Sequence, residues 1–296
     1  MNTINDKKGY LDDNFKIFLI NDRKDIEFEY HHHDFNKIII FLGGKVSYYI
    51  EGKRYDLKKS DLLFISNNEI HKPVISPDEN YSRIVIWINK DFLNHFNNFN
   101  NKNENLSNCF EMASAKKDYL VETDDRTLKN IKLYINKIIY SNDSDLFGGE
   151  LFNHCLFVEL MITLNRIYLK KDSVAYSSSE ILCDEIVQKV LDYIENNISN
   201  DLSIDKIASK LYVSKYYLMR KFKAQVGTSI HHYVIQKRLV LAKNLIKNGE
   251  LITHAAVQCG FNDYSSFVRA FKSVYKMSPK QFKDEVYLFN DTNTNE

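Results

Sequence analysis

The chain has 296 residues, 44% hydrophobic and 27% charged, a balance that excludes a disordered polyelectrolyte and leaves room for two domains with separate cores. Its net charge of +1 hides an asymmetry: residues 185–285 carry 16 Lys and Arg against 9 Asp and Glu, a surplus of +7, whereas residues 1–184 sum to −4. One part is therefore expected to meet a polyanion and the other to do something else.

No apolar run approaches the ~18 residues of a membrane helix, and the opening MNTINDKKGYLDDNF has no apolar signal core, so a cytoplasmic protein without membrane contact is expected. Cys109, Cys155, Cys183 and Cys259 form no C-x-x-C pair. They are expected to be reduced, mostly buried packing residues, and no cofactor is implied.

Residues 14–90 read as short strands: FKIFLI, IEFEY, KIIIFL, KVSYYIEG, YDLKK, DLLFIS and YSRIVIWI. Their β-branched and aromatic content, recurring about every ten residues, predicts an antiparallel barrel or sandwich. In the last run Ile84, Ile86 and Ile88 share one face, while Tyr81, Arg83, Val85 and Trp87 share the other. The first face is core, and the second has the mixed character of a pocket wall.

Residues 94–108 hold eight asparagines and read as loop. Beyond them, Leu128, Ile131, Ile135, Ile138 and Ile139 fall at helical spacing within 127–141. Leu151, Cys155, Val158, Ile162 and Leu169 do so within 150–169. The polar stretch DSVAYSSSE at 172–180 reads as an interdomain linker, and the remainder is helical.

A duplication dominates the basic part. LMRKFKAQVGTSIHHYV from Leu218 and FVRAFKSVYKMSPKQFK from Phe267 share the frame apolar-x-Arg-x-Phe-Lys at an offset of 49 residues, and Ile207-Ala208 and Ala255-Ala256 stand upstream of each. Each copy predicts a helix, a tight turn and a second helix. Ala208 permits close helix approach, and Ser214 is placed to cap the second helix of the first copy. Gly260 falls in the turn of the second copy, with Asn262 or Asp263 as cap.

Leu218 and Phe222, and their counterparts Phe267 and Phe271, form buried i, i+4 stripes. The opposite faces carry Tyr216, Met219, Arg220 and Lys223, and Ser265, Val268, Arg269 and Lys272. Arginine there can donate two parallel hydrogen bonds to guanine, while the lysines, with Lys215, suit phosphates of double-stranded DNA. The alternative, that the arginines only brace their own helices through carboxylates, is disfavoured by two copies in register.

Residues 185–284, through LSIDKIASKLYVSKYYLMRKFK and ITHAAVQCGFNDYSSFVRAFKSVYKMSPKQF, resemble the DNA-binding domain of the AraC/XylS family of bacterial transcriptional regulators. The resemblance implies two helix-turn-helix modules joined by a long helix, about 230–247, with Tyr216, Met219, Arg220, Ser265 and Arg269 at base-reading positions. Lys276 stands where a glycine is usual, Ala255 where a larger aliphatic is usual, and Cys259 where valine is common, so looser packing is expected in the second module.

The N-terminal part resembles the cupin-type sensory domain of the same family. Against the cupin metal motif, His31-x-His33 and His71 fit, but Lys37 replaces the glutamate ligand. An ammonium repels a cation and offers no lone pair, so no metal is expected. His33, Lys37, His71, Arg83 and Trp87 are instead the candidate residues of a small-molecule effector pocket.

The resemblance thus implies an α+β chain: a cupin-like antiparallel barrel (1–108), a helical segment that pairs two subunits as a homodimer (109–171), a linker (172–184), an all-α double helix-turn-helix (185–285) and a disordered tail (286–296). It implies a non-enzymatic transcriptional regulator, an activator that meets RNA polymerase. Two alternatives stay open: a metal-dependent cupin enzyme fused to a DNA-binding module, with His31, His33 and His71 as ligands, and a regulator controlled by abundance or by a protein partner.

Overall fold

The structure is a computed structural model that describes residues 11, 13–22, 28–76, 80–97, 105–141, 147–173 and 184–292. The described residues fall into two compact units, the first of the described residues between 11 and 29 and between 33 and 173, the second of residues 184–292 together with Tyr30–His32.

The first unit is built on eight strands: β1 (Phe15–Asp22), β2 (Asn36–Gly43), β3 (Val46–Ile50), β4 (Lys53–Asp56), β5 (Leu62–Ile65), β6 (His71–Ile75), β7 (Tyr81–Ile88) and β8 (Leu120–Val121). They form a five-stranded sheet in the order β1-β7-β2-β5-β8 and a three-stranded sheet β4-β3-β6, with every pairing antiparallel. Strand β2 lies inside the larger sheet, and Ile38, Ile39, Ile40 and Phe41 are all buried. A strand covered on both faces has no reason to alternate, which explains its unbroken apolar run. Each such side chain withdrawn from water contributes roughly 1.5–3 kcal/mol before entropic costs.

Four helices belong to this unit: α1 (Lys90–Asn97), α2 (Asn108–Lys116), α3 (Asp125–Ser141) and α4 (Gly149–Ser173). Ile38, Ile86 and Ile88 share one core with Phe110 of α2 and Leu160 and Leu164 of α4.

Several features depart from the sequence reading. Residues 28–30 of IEFEY are not strand, whereas HKPVI is. Pro73 obscures β6 in the sequence, yet β6 is an edge strand of the smaller sheet, where a missing N–H is tolerated. The larger sheet does not end by residue 108, because Leu120 and Val121 return to pair with Leu63 and Leu62. Helix α1 extends into the asparagine-rich stretch.

Helix α4 has two apolar faces. Its buried side is Leu156, Phe157, Leu160, Met161, Leu164 and Tyr168. The stripe read from the sequence points the other way: Leu151, Cys155, Ile162 and Leu169 are exposed and Val158 is half-buried. Ile139 of α3 is likewise exposed rather than buried. Of the cysteines, Cys109 and Cys259 are buried and Cys155 is not, while Cys183 lies outside the described residues.

The second unit is α-helical: α5 (Glu185–Asn196), α6 (Ile204–Lys210), α7 (Lys215–Val226), α8 (Ile230–Lys247), α9 (Ile252–Gln258), α10 (Tyr264–Tyr275) and α11 (Pro279–Thr292). Helices α6–α7 and α9–α10 are the two copies of the repeat, and α8 joins them over the span read from the sequence. Each copy turns by the same hydrogen bonds: Tyr212 N–H donates to the Ser209 carbonyl and Val213 N–H to that of Ala208, while Gly260 and Phe261 bond Val257 and Ala256 in the same way. This is the Schellman closure of a helix, with a left-handed residue at its centre.

The second copy packs around Phe267, Phe271, Tyr275 and Phe282 with Leu239, Ala242 and Ile246 of α8. Ala255 and Cys259, two of the departures from family usage, are fully buried in this cluster. Helix α11 runs on to Thr292, so backbone read as the start of a disordered tail is helical; residues 293–296 lie outside the described residues. Of the stretch read as linker, only Asp172, Ser173 and Asp184 are described, and Asp184 caps α5 by accepting from Ile186 N–H.

Candidate functional site

Two groups of residues carry recognisable chemistry, one in each unit. In the helical unit, α7 and α10 are started by side-chain caps. Ser214 Oγ accepts from Tyr217 N–H at 3.3 Å. Asp263, rather than Asn262, caps α10 by accepting from Ser265 N–H at 3.3 Å and Ser266 N–H at 2.7 Å. These hydrogen bonds favour the ionised carboxylate and hold Asp263 below its ordinary pKa.

The caps fix which way each helix turns its faces. Leu218, Phe222 and Val226 of α7, and Phe267, Phe271 and Tyr275 of α10, are buried. Opposite them Tyr216, Met219, Arg220 and Lys223 are exposed on α7, and Ser265, Arg269 and Lys272 on α10, with Val268 half-buried. Tyr216 leaves 76% of its surface open, a large aromatic with no packing role on its own helix.

The charged members are lightly held. Arg269 donates to Ser266 Oγ at 3.1 Å, a hydroxyl rather than a carboxylate, and among the described residues no ion pair engages Arg220. Lys215 lies 3.0 Å from Asp205 across the turn, an exposed pair of little energetic weight. Side chains so placed are free to be recruited by phosphates or base edges. At the start of α8 stand His231 and His232, which the sequence marks as surface or phosphate-proximal residues of the linking helix. They line a recess of about 380 Å³ together with Ser266 and Arg269.

In the strand unit, Lys37 and Trp87 are directly opposite in the β2–β7 register. His33 precedes β2, and its Nε2 lies 3.1 Å from His71 Nε2 on β6 and 3.5 Å from Lys37 Nζ. Four of the five candidate pocket residues are thus gathered where the two sheets meet. Their rings continue into an aromatic wall: Phe35 tilts against Trp87 and Phe18 meets it edge-on, each at 4.7 Å, and His71 stacks on Tyr48 at 6.0 Å.

Arg83, the fifth, has a different employment. Its guanidinium pairs with Asp22 of β1 at 2.7 Å and lies 3.8 Å over the Tyr81 ring. It closes the β1–β7 pairing rather than joining the cluster around Lys37.

The tautomers at the cluster follow from its partners. His71 Nδ1 sits 2.9 Å from the Glu69 carbonyl, which only accepts, so Nδ1 carries a proton. In the neutral ring Nε2 then has the lone pair that faces His33 Nε2. The Lys37 ammonium, 3.5 Å from His33 Nε2, stands where the cupin metal motif has its anionic ligand.

Trp87 adds one more fact: its indole N–H is buried and has no hydrogen-bond partner. Close by, Glu69 is buried against Glu51, and desolvation, reinforced by that charge, raises its carboxyl to about 7.

Comparison with known proteins bears on both groups. Residues 207–285 match a helix-turn-helix domain model, and residues 14–98 match an AraC-like ligand binding domain model. The chain is 26% identical over 259 residues to the HTH-type transcriptional activator RhaS of Mannheimia succiniciproducens, covering 86% of this chain and 89% of that one. It is also 26% identical to the probable transcriptional regulator LumQ of Photobacterium leiognathi, over 86% and 91% of the two chains. Among solved structures, the C-terminal domain of AraT from Geobacillus stearothermophilus aligns at 32% identity with a TM-score of 0.34, over 34% of this chain and 86% of that domain.

Proposed function

We propose that the chain is a transcriptional regulator of the AraC family, whose ligand binding domain and helix-turn-helix domain models it matches, and that it acts as a homodimeric activator whose grip on DNA is set by a small molecule in the strand unit. The observation that carries the DNA-reading half is the duplicated face: Arg220 and Arg269 recur at a 49-residue offset, both exposed on capped helices whose other sides are buried. Lys215, Lys223 and Lys272 serve phosphates, and Tyr216, Met219, Ser265 and Val268 complete the base-facing surfaces.

The partner for self-association is a second copy laid along α4. Leu151, Cys155, Val158, Ile162 and Leu169 follow alternating steps of four and three, apart from one skipped position, which is the spacing of a helix-pairing seam. The effector acts by preferring one arrangement of the dimer over another, since a ligand of equal affinity for both would shift nothing. An activator so arranged meets RNA polymerase at the promoter. We assign the chain to the cytoplasm and give it no catalytic step; among the described residues no helix is long and apolar enough to cross a membrane.

Selection of bound DNA from a random pool, with the full chain and with residues 180–296, tests this reading. Two half-sites recovered by the full chain and one by the fragment are expected. Enrichment by neither, with and without candidate effectors, overturns the DNA-reading assignment.

A further inference from the structure

The DNA-reading assignment above is the ground on which this inference rests. We propose that His231 and His232 form a proton-dependent phosphate site beside Arg269, so that the chain takes up protons when it binds DNA.

The site is the recess of about 380 Å³ within the helical unit. The start of α8 brings His231 and His232 to it, α10 brings Ser266 and Arg269, and the turn between α9 and α10 brings Phe261. The titratable groups on these walls are His231, His232 and Arg269, and the rest of the lining is uncharged. Arg238, further along α8, lies over the Phe261 ring and donates to the carbonyls of Ile198 and Asn200. An anion that enters therefore meets donors and no carboxylate. Both imidazoles are exposed, and among the described residues no ion pair engages either of them.

A second observation concerns Gln236, one turn along α8 from His232. Its side chain is buried, its Nε2 lies 3.4 Å from His232 Nε2, and its Oε1 has no hydrogen-bond partner. A buried acceptor without a donor costs free energy. A half-turn of the amide exchanges its oxygen and nitrogen, and a proton on His232 Nε2 then gives Oε1 its donor. The imidazolium has that proton and a second on Nδ1 for an oxygen of the ligand, whereas the neutral ring has one proton for two tasks. Protonation thus answers the buried acceptor and the incoming anion together.

A phosphodiester suits the recess because it stays ionised where imidazole titrates, and hydrogen bonds between two ionised partners are the strong ones. Its deoxyribose offers an apolar side to Phe261 and Ile235. A phosphate held here also fixes the register in which Arg269 meets its base. The bound chain holds more protons than the free one, so affinity is greatest at low pH and falls as pH rises from 5 to 8, the range in which imidazole loses its charge.

The full-length protein is titrated with the duplex most enriched in the selection above and with an unselected random duplex, by fluorescence anisotropy at several salt concentrations. Binding is expected to be about tenfold weaker at pH 8 than at pH 6, with a salt dependence steeper at pH 6 by about one released counterion per imidazolium. His231→Gln and His232→Gln in one chain are expected to bring the affinities at the two pH values within about twofold of each other. His254→Gln, on α9 where the imidazole lies 3.3 Å from Glu250, is expected to keep the full pH difference. Calorimetric titration of the unmodified chain in two buffers of different ionisation enthalpy counts the protons taken up, and needs no variant to fold.

Equal affinity at the two pH values with no proton uptake, or a pH difference that persists in the folded double variant, overturns the phosphate site and leaves the DNA reading standing. Binding of neither duplex at any pH overturns both.

Discussion

Gly227 and Lys276 occupy the same place in the two copies of the repeat, 49 residues apart, and both adopt the left-handed conformation, with φ of 80° and 62°. Each closes its helix by donating its N–H to a lysine carbonyl one turn back, Lys223 in the first copy and Lys272 in the second. At the turn between helices the assignment is exchanged: Tyr212 is left-handed in the first copy with φ 56°, and Gly260 in the second with φ 82°. Each copy thus has one glycine and one side-chain-bearing residue at its two left-handed positions.

The exchange predicts opposite outcomes for two substitutions. Lys276→Gly removes a strained residue and is expected to stabilise the helical unit by about 1 kcal/mol. Gly260→Ala is expected to destabilise it by roughly 2 kcal/mol or more, because a Cβ there would lie 2.8 Å from Arg238 Nη2 and 3.0 Å from the Ile198 carbonyl, besides the positive φ. Arg238 holds the carbonyls of Ile198 and Asn200, so the added methyl also loosens that grip. Urea unfolding of residues 180–296 followed by helical circular dichroism measures both.

On the DNA-facing side, arginine and lysine are expected to fail differently. Arg269→Ala should cost about 1–3 kcal/mol at one base position and relax the preference there. Lys223→Ala should weaken binding to all sequences alike and flatten its salt dependence. Binding curves against a set of single-base operator variants at three salt concentrations separate the two. Uniform loss from Arg269→Ala would remove it from the base-reading set.

Ile162 sits mid-way along the outward seam of α4 with 38% of its surface exposed. Ile162→Glu is expected to convert the dimer to monomer at micromolar concentration while leaving the melting temperature within a few degrees, since the inward face is untouched. Sedimentation velocity reads the first and calorimetry the second. A dimer that survives the glutamate must pair through some other surface.

Glu69 predicts a pH dependence. Its carboxyl is raised from 4.5 to about 7, so the folded chain holds this proton more tightly than the unfolded one. The cost of ionising it is absent below pH 4.5, grows between the two values, and is complete above about 7, so this group's contribution makes the fold less stable as pH rises. Glu69→Gln keeps an acceptor for the Ser66 N–H and is expected to gain roughly 2–3 kcal/mol at pH 8, with little difference at pH 4. Denaturant unfolding at the two pH values checks both sign and size.

Much of the helical unit was legible because its signals are local. Period, cap and turn residues lie within a few positions of one another, so Ser214 and the Leu218–Phe222 stripe could be read directly, while the limits of α8 came with the family resemblance. The strand unit depends on partners far away in sequence. Pro73 conceals β6 until its place at a sheet edge is known, and β8 is two residues whose only sign is the strand they meet. Arg83 reads as a pocket residue until the β1–β7 register brings Asp22 within 2.7 Å. Helix α4 misleads for another reason: it is apolar on two sides, and periodicity alone does not say which of them faces inward.

The two helices proposed to read DNA lie on one chain and share an arginine, Arg220 and Arg269, but differ beside it, with Tyr216 and Met219 on α7 against Ser265 and Val268 on α10. A single subunit is therefore a directional object on a duplex whose backbone is nearly the same in both directions. Its recognition sequence has a head and a tail, and reversing that sequence in place turns the bound subunit end for end. If the chain meets RNA polymerase as proposed, the surface it offers then points away from the gene, and orientation as well as presence of the site becomes part of the message.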